Sequence, residues 1–259
     1  MNILFKCTQI HIDGTFKSSP KNFYQIINIA GFLPDINSIV PIFFIPVTAK
    51  SEFIYDKIFS DIKSILNDNG FNINDLPNKF MIDFEKALQR SIKKNFNKAV
   101  IDGCYFHYVK ILWANSKKLG LCKYDILKNT KKLIFLLKLF PFLEYEKRED
   151  LFKKIEEYYN LSEYKYKNFL KYFKKNWLKN PYINYIELTN DEFLNRTNNY
   201  IESFHSKLNN MLCSYHPKLS YLIEKYKMYL INVYEKINVS LVNKVPQKME
   251  KFSIINDIP

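Results

Sequence analysis

The sequence predicts an α/β protein: a mixed sheet with helices on its faces, followed by an all-helical stretch. Three observations carry that prediction. Runs rich in Ile, Phe, Tyr and Val at Thr8–Phe16, Phe23–Phe32 and Ile39–Lys50 are separated by the turn clusters Ser-Ser-Pro-Lys-Asn and Leu-Pro-Asp-Ile-Asn, so they read as an antiparallel meander. The apolar period then changes from strand-like to helical, and short apolar runs alternate with helical ones, which is the pattern of β-α-β units. From about Lys123 the chain turns to helix formers, Lys and aromatics with no strand signal.

Taken in order, Glu52–Leu66 is the first amphipathic helix, with Phe53, Ile54, Ile58, Phe59, Ile62, Ile65 and Leu66 at helical spacing and an Asn-Asp-Asn-Gly stop at 67–70. Lys79–Asp83 (KFMID) is a short strand leading into a helix over Phe84–Phe96, with Leu88, Ile92 and Phe96 on one face. Ala99–Ile101 is a further brief strand, and Val109–Lys118 is helical again. The expected organisation is a mixed α/β part over 1–122 and a helical block over 123–188. A second helical segment follows over 189–241, and then a tail over 242–259.

The formal net charge is +13, from 39 Lys and Arg against 26 Asp and Glu. Such a balance favours a polyanionic partner such as DNA or RNA. Within Lys123–Ile186 alone there are 15 basic and 8 acidic residues, so the helical block carries much of the excess. The four cysteines, at 7, 104, 122 and 213, lie in a chain too long to need disulfide staples and fit a reducing, intracellular setting. MNILFKCTQI lacks the layout of a secretory signal. The most apolar segment, Leu133–Leu143, is too short to span a bilayer and contains Lys138 and Pro141, so no membrane partner is expected.

Two acids stand where a sheet gathers ligands. Asp13 ends an apolar run in TQIHIDGTF, with Gly14 expected to turn the chain tightly and Thr15 to carry the turn onward; Asp83 ends KFMID at a strand-to-helix junction. Each alone is equally a turn or helix cap. If their strands are neighbours, the two carboxylates repel unless a cation lies between them, and a divalent metal with oxygen ligands resolves that. The best-placed third acid is Glu202 in RTNNYIESFHSKLNNML, where Asn198, Glu202, His205 and Asn209 share a helical wall opposite Ile201, Phe204, Leu208 and Met211. Cys104 and His107 in GCYFH lie three apart at the next strand-to-helix turn, too few ligands for a closed zinc site.

IDGTF at 12–16, MIDFEKAL at 81–88, GCYFH at 103–107 and TNNYIESFHSKL at 197–208 together resemble the signature blocks of MULE (Mutator-like element) transposases, in the same order. The resemblance covers about Thr8 to Leu212. It implies an RNase H-like mixed sheet with an all-helical insertion before the last catalytic helix. It also implies a DDE triad of Asp13, Asp83 and Glu202 that binds two Mg²⁺ or Mn²⁺ ions, and Cys104, His107, His205 and Asn198 near the site. The implied activity is metal-dependent cleavage and strand transfer of DNA, on transposon ends and a target, by a homo-oligomer in the nucleus. Full-length relatives of this kind carry a zinc-binding DNA-recognition domain ahead of the first strand; seven residues precede Thr8 here. Two alternatives stay open on the sequence: a transposase-derived DNA-binding or regulatory protein without catalysis, and a nuclease of the same fold.

Overall fold

The computed structural model describes residues 2–16, 18–124, 126–160, 164–185 and 216–243. Its strands are β1 (Gln9–Thr15), β2 (Gln25–Leu33), β3 (Ser38–Val47), β4 (Lys79–Ile82) and β5 (Val100–Gly103), in one sheet of order β3-β2-β1-β4-β5. The first three pair antiparallel as a meander, whereas β4 joins β1 in parallel and β5 joins β4 in parallel. The sheet is therefore mixed, with β1 at its centre. Pro41 and Pro46 lie in β3, an edge strand, where a missing N–H is tolerated. The β2–β3 register shifts between Ile29 and Ala30.

The first described helix is α1 (Asn2–Lys6), one turn ahead of β1. It is followed after the meander by α2 (Glu52–Asp68), whose N-cap Ser51 side chain accepts from the Ile54 N–H at 3.4 Å. Past its end the Phe71 N–H reaches back to the Leu66 carbonyl at 3.0 Å, and Gly70 takes φ 76°, the left-handed conformation that glycine adopts at no steric cost. The expected stop at 67–70 is where the helix ends. The buried residues are Tyr55, Ile58, Phe59, Ile62 and Leu66. Phe53 and Ile65, which the spacing assigns to the same face, are 74% and 44% exposed. The 3.6-residue period turns Phe53 to the side opposite Tyr55 and Ile62, so its apolar character is misleading.

One sheet face presents Ile10, Ile12, Ile27, Ile29, Phe80, Ile82 and Ile101 to α2 and to α3 (Lys86–Asn95), whose Leu88 and Ile92 complete a single buried cluster. On the other face, the last described helix, α8 (Leu219–Asn243), covers β2 and β3: Leu222 and Tyr226 pack on Ile26 and Phe44, and Ile237 joins Cys7, Leu33 and Val40. Helices thus lie on both faces.

After β5 come α4 (Tyr105–Lys118), α5 (Leu127–Lys138), α6 (Tyr145–Asn160) and α7 (Tyr164–Phe173), which runs into a π-helical turn at Lys174–Leu178. Their core unites Tyr108 and Leu112 of α4 with Leu133, Leu137, Phe140, Phe152, Phe169, Phe173 and Trp177. The helical block is therefore welded to the sheet through α4, whose Tyr108 Oη donates to the Leu137 carbonyl at 2.6 Å. Leu133 and Leu137 are fully buried, as expected for a core-facing helix, and Pro141 sits beyond its end in a short 3₁₀ turn.

Candidate active site

The site begins with the alternation in β1. Ile10 and Ile12 point into the cluster under α2 and α3, so Gln9, His11 and Asp13 occupy the opposite face, where His11 is 0% and Asp13 8% exposed. His11 Nε2 lies 3.1 Å from Gln9 Oε1, and Asp13 stands directly across from Asn28 of β2. A polar row is buried along one side of the central strand. The stretch is thus more than an apolar run ended by a single acid; the strict alternation Gln-Ile-His-Ile-Asp is the signal that separates the two faces.

The strand continues to Thr15 instead of ending at Asp13, because Gly14 and Thr15 still pair with Ile27 and Ile26 of β2. This corrects the role expected for Gly14. It is a strand residue that makes room for Gln25, whose Oε1 would lie 2.6 Å from a Cβ placed there. What does stop after position 12 is the pairing with β4: the last matched pair is Ile12 with Ile82. Asp13, still within β1, and Asp83, the residue after β4, both follow this last rung, so the two acids lie where the parallel pairing ends.

Asp83 leaves the sheet and turns into α3, and its Oδ1 accepts the Glu85 backbone N–H at 3.0 Å. Glu85 in turn receives the Tyr55 hydroxyl at 2.9 Å and pairs with Lys50 Nζ at 3.0 Å, while Gln25 Nε2 donates to Tyr55 Oη at 3.2 Å. This chain, drawn from β2, α2 and the segments after β3 and β4, braces the turn that carries Asp83. Burial raises the Glu85 pKa, and the bonds from Lys50 and Tyr55 offset it only in part. For Lys50, burial alone would lower the pKa, but its hydrogen bond to Glu85 and the charges of Asp83 and Glu85 raise it, so the ammonium is held as the local counter-charge.

On the far side stands the GCYFH turn. Gly103 ends β5, and a Cβ there would meet the Phe84 ring at 2.3 Å and the Tyr182 carbonyl at 2.9 Å. Cys104 is fully buried, and its backbone N–H donates to the Ile82 carbonyl at 2.7 Å, which sets it beside Asp83 at the strand ends. His107, in the first turn of α4, is pushed by burial toward its neutral form; the Asp83 charge opposes that push, and Lys110 and Lys50 reinforce it. The structure therefore brings Asp13, Asp83, Cys104 and His107 to one end of the sheet. Asn198, Glu202 and His205 lie outside the described residues, and among the described residues no three His, Cys, Asp or Glu side chains gather closely enough to hold a metal ion.

Asp102 of β5 is a second unusual acid, on the rung of Met81 and hence of His11. Burial pushes its carboxyl up to about 6, with Lys79 pulling the other way. A raised acid binds its proton better folded than unfolded, so its stabilising contribution is complete below about pH 4 and is lost as pH rises through 6. Asp102→Asn is expected to raise stability at pH 7.5 by about 1–2 kcal/mol and to leave it unchanged at pH 4, as read by thermal melts at the two pH values. An equal change at both would remove the titration from the explanation.

Fold and geometry together define an α/β protein with an acidic site where the pairing of two neighbouring parallel strands ends. Residues 9–111 match the family model of the MULE transposase domain. The match runs from the first residues of β1 into α4 and so takes in Asp13, Asp83, Cys104 and His107. No curated protein matches the chain. No described helix is long and apolar enough to cross a membrane.

Proposed function

We propose that this chain is the catalytic core of a transposase that cleaves and joins DNA strands with divalent metal, using Asp13, Asp83 and Glu202 on an RNase H-like sheet. The observation that carries the reading is the placement of Asp13 and Asp83 one residue beyond the Ile12–Ile82 rung of adjacent parallel strands. Two carboxylates so placed form an all-oxygen donor set, which suits Mg²⁺ or Mn²⁺ better than a soft metal, and Glu202 is the residue proposed to complete it. When bound, such ions neutralise charge on the phosphodiester and acidify water.

The chain's own residues do the rest. The Glu85 N–H fixes the Asp83 carboxylate, and the Lys50–Glu85–Tyr55–Gln25 chain keeps the turn from shifting when the charge beside it changes. His107 is held toward its neutral form and serves as a proton acceptor near Asp83 better than as a donor. The net charge of +13 supports DNA as the partner. Assembly of more than one copy on DNA and a nuclear location belong to the same proposal.

The test is incubation of the purified chain with supercoiled plasmid. Conversion to nicked circles with Mn²⁺, and none with EDTA, is the expected result. Plasmid that is bound but never nicked in any divalent metal would overturn the catalytic reading in favour of a binding protein.

A further inference from the structure

A cleft of about 220 Å³ lies between α3 and the segment after α7, with Lys86 and Gln89 on one wall and Lys175, Asn176, Lys179 and Asn180 on the other. Lys93, four residues past Gln89 on α3, stands over the ring of the cleft-lining Tyr182, 5.3 Å from the centroid. Among the described residues, no acidic side chain lines the cleft. The lysines facing it are exposed, and the ion pair at its edge is Lys179 with Glu149 at 3.0 Å. Cations set on opposite walls of one cleft repel, and an anion between them converts that repulsion into binding.

The walls are built to hold this arrangement. The π-helical turn at Lys174–Leu178 buries Trp177 and Leu178 while leaving Lys175 and Asn176 exposed, and π turns of this kind recur at functional sites. The amides fix the backbone: Asn176 Nδ2 donates to the Tyr172 carbonyl at 2.8 Å, Asn180 Nδ2 to the Asn176 carbonyl at 3.1 Å, and Asn180 Oδ1 accepts from the Tyr182 N–H at 3.0 Å. Trp177 stacks edge-on against Phe84 at 4.7 Å. Phe84 also lines the cleft and directly follows Asp83, so the basic cleft opens beside the candidate active site.

We propose that this cleft seats the phosphate backbone of the DNA next to the strand being cut, with Lys86, Lys175 and Lys179 as the contacting cations. The inference rests on the reading of the chain as a DNA-acting protein and adds where the duplex lies: across the seam between the sheet and the helical block. Because the cations bind phosphates, they position DNA without reading its sequence.

The test is fluorescence anisotropy of a labelled DNA duplex with the full chain in EDTA, over a series of NaCl concentrations. Removing one cation from a phosphate lowers the slope of log affinity against log salt by about 0.9. Lys86→Gln with Lys175→Gln should therefore lower it by about 1.8. The control pair Lys57→Gln and Lys147→Gln, at lysines 65% and 66% exposed with acidic partners three or four residues away, should leave it unchanged. If the wild-type chain binds with a clear salt dependence and the cleft variant keeps the same slope, the cleft is not the backbone site. If the wild-type chain shows no salt-dependent DNA binding, the DNA-acting reading falls and this inference with it.

Discussion

Asp83→Asn is expected to lower Mn²⁺-dependent plasmid nicking at least about 100-fold, because in the proposed function Asp83 holds the metal, and a metal ligand contributes several kcal/mol to stabilising developing charge, each 1.36 kcal/mol being tenfold in rate. The substitution separates charge from structure. Asn retains a carbonyl oxygen where Asp83 Oδ1 accepts the Glu85 N–H at 3.0 Å, so the turn into α3 keeps its bond and the melting temperature should stay within a few degrees of wild type. Asp13→Asn should give a loss of similar size. The double variant should be hardly worse than either single one, since groups that act as a unit are not additive. Nicking that survives in folded Asp83→Asn protein would remove Asp83 from the chemistry. A loss accompanied by unfolding would be exposed by the melt and would assign Asp83 a structural role.

The parts of this site that are legible in the sequence are those with a short-range signal. The meander, α2 and the two β-α units follow from apolar periodicity and turn residues, whereas the place of β4 beside β1, and not beside β3 to which α2 connects it, is settled only by the sheet order. Asp13 and Asp83 stand out because an acid closing an apolar run is costly. The bracing chain is not legible: Gln25, the neighbouring Lys50 and Tyr55, and Glu85 are separated by about thirty residues at each step and meet only because β2, α2 and the β4–α3 turn converge. Nor is the weld through α4, since Tyr108 reaches Leu137 across a gap of 29 residues and no local pattern announces a tertiary partner. Gly14 shows the opposite failure. Its identity invites a turn, but what demands glycine there is the approach of Gln25 from the neighbouring strand.

Arg148→Met is expected to cost about 1–3 kcal/mol, the range for leaving buried acceptors without their donor. Arg148, in α6, is 0% exposed. Its Nε donates to the Leu143 carbonyl at 2.8 Å, and one terminal nitrogen donates to Asn184 Oδ1 at 2.9 Å and to the Pro141 carbonyl at 3.3 Å. Methionine fills most of the volume but leaves the buried Pro141 carbonyl without this donor, which is where most of the cost arises. The consequence reaches the site. The Tyr185 N–H donates to the Pro141 carbonyl at 2.9 Å, and the Tyr185 hydroxyl donates to the Gly103 carbonyl, so Arg148 fastens the loop that holds the end of β5 beside Cys104. At roughly 2–4 °C per kcal/mol for a chain of this size, the melting temperature should fall by about 5 °C. Lys147→Met, one residue away at a side chain 66% exposed and paired with Glu144 at 2.8 Å, should change it by less than about 2 °C. Equal shifts for the two variants would show that the buried guanidinium is not what ties the helical block to the sheet. The weld would then rest on the aromatic core around Tyr108 and Trp177 alone.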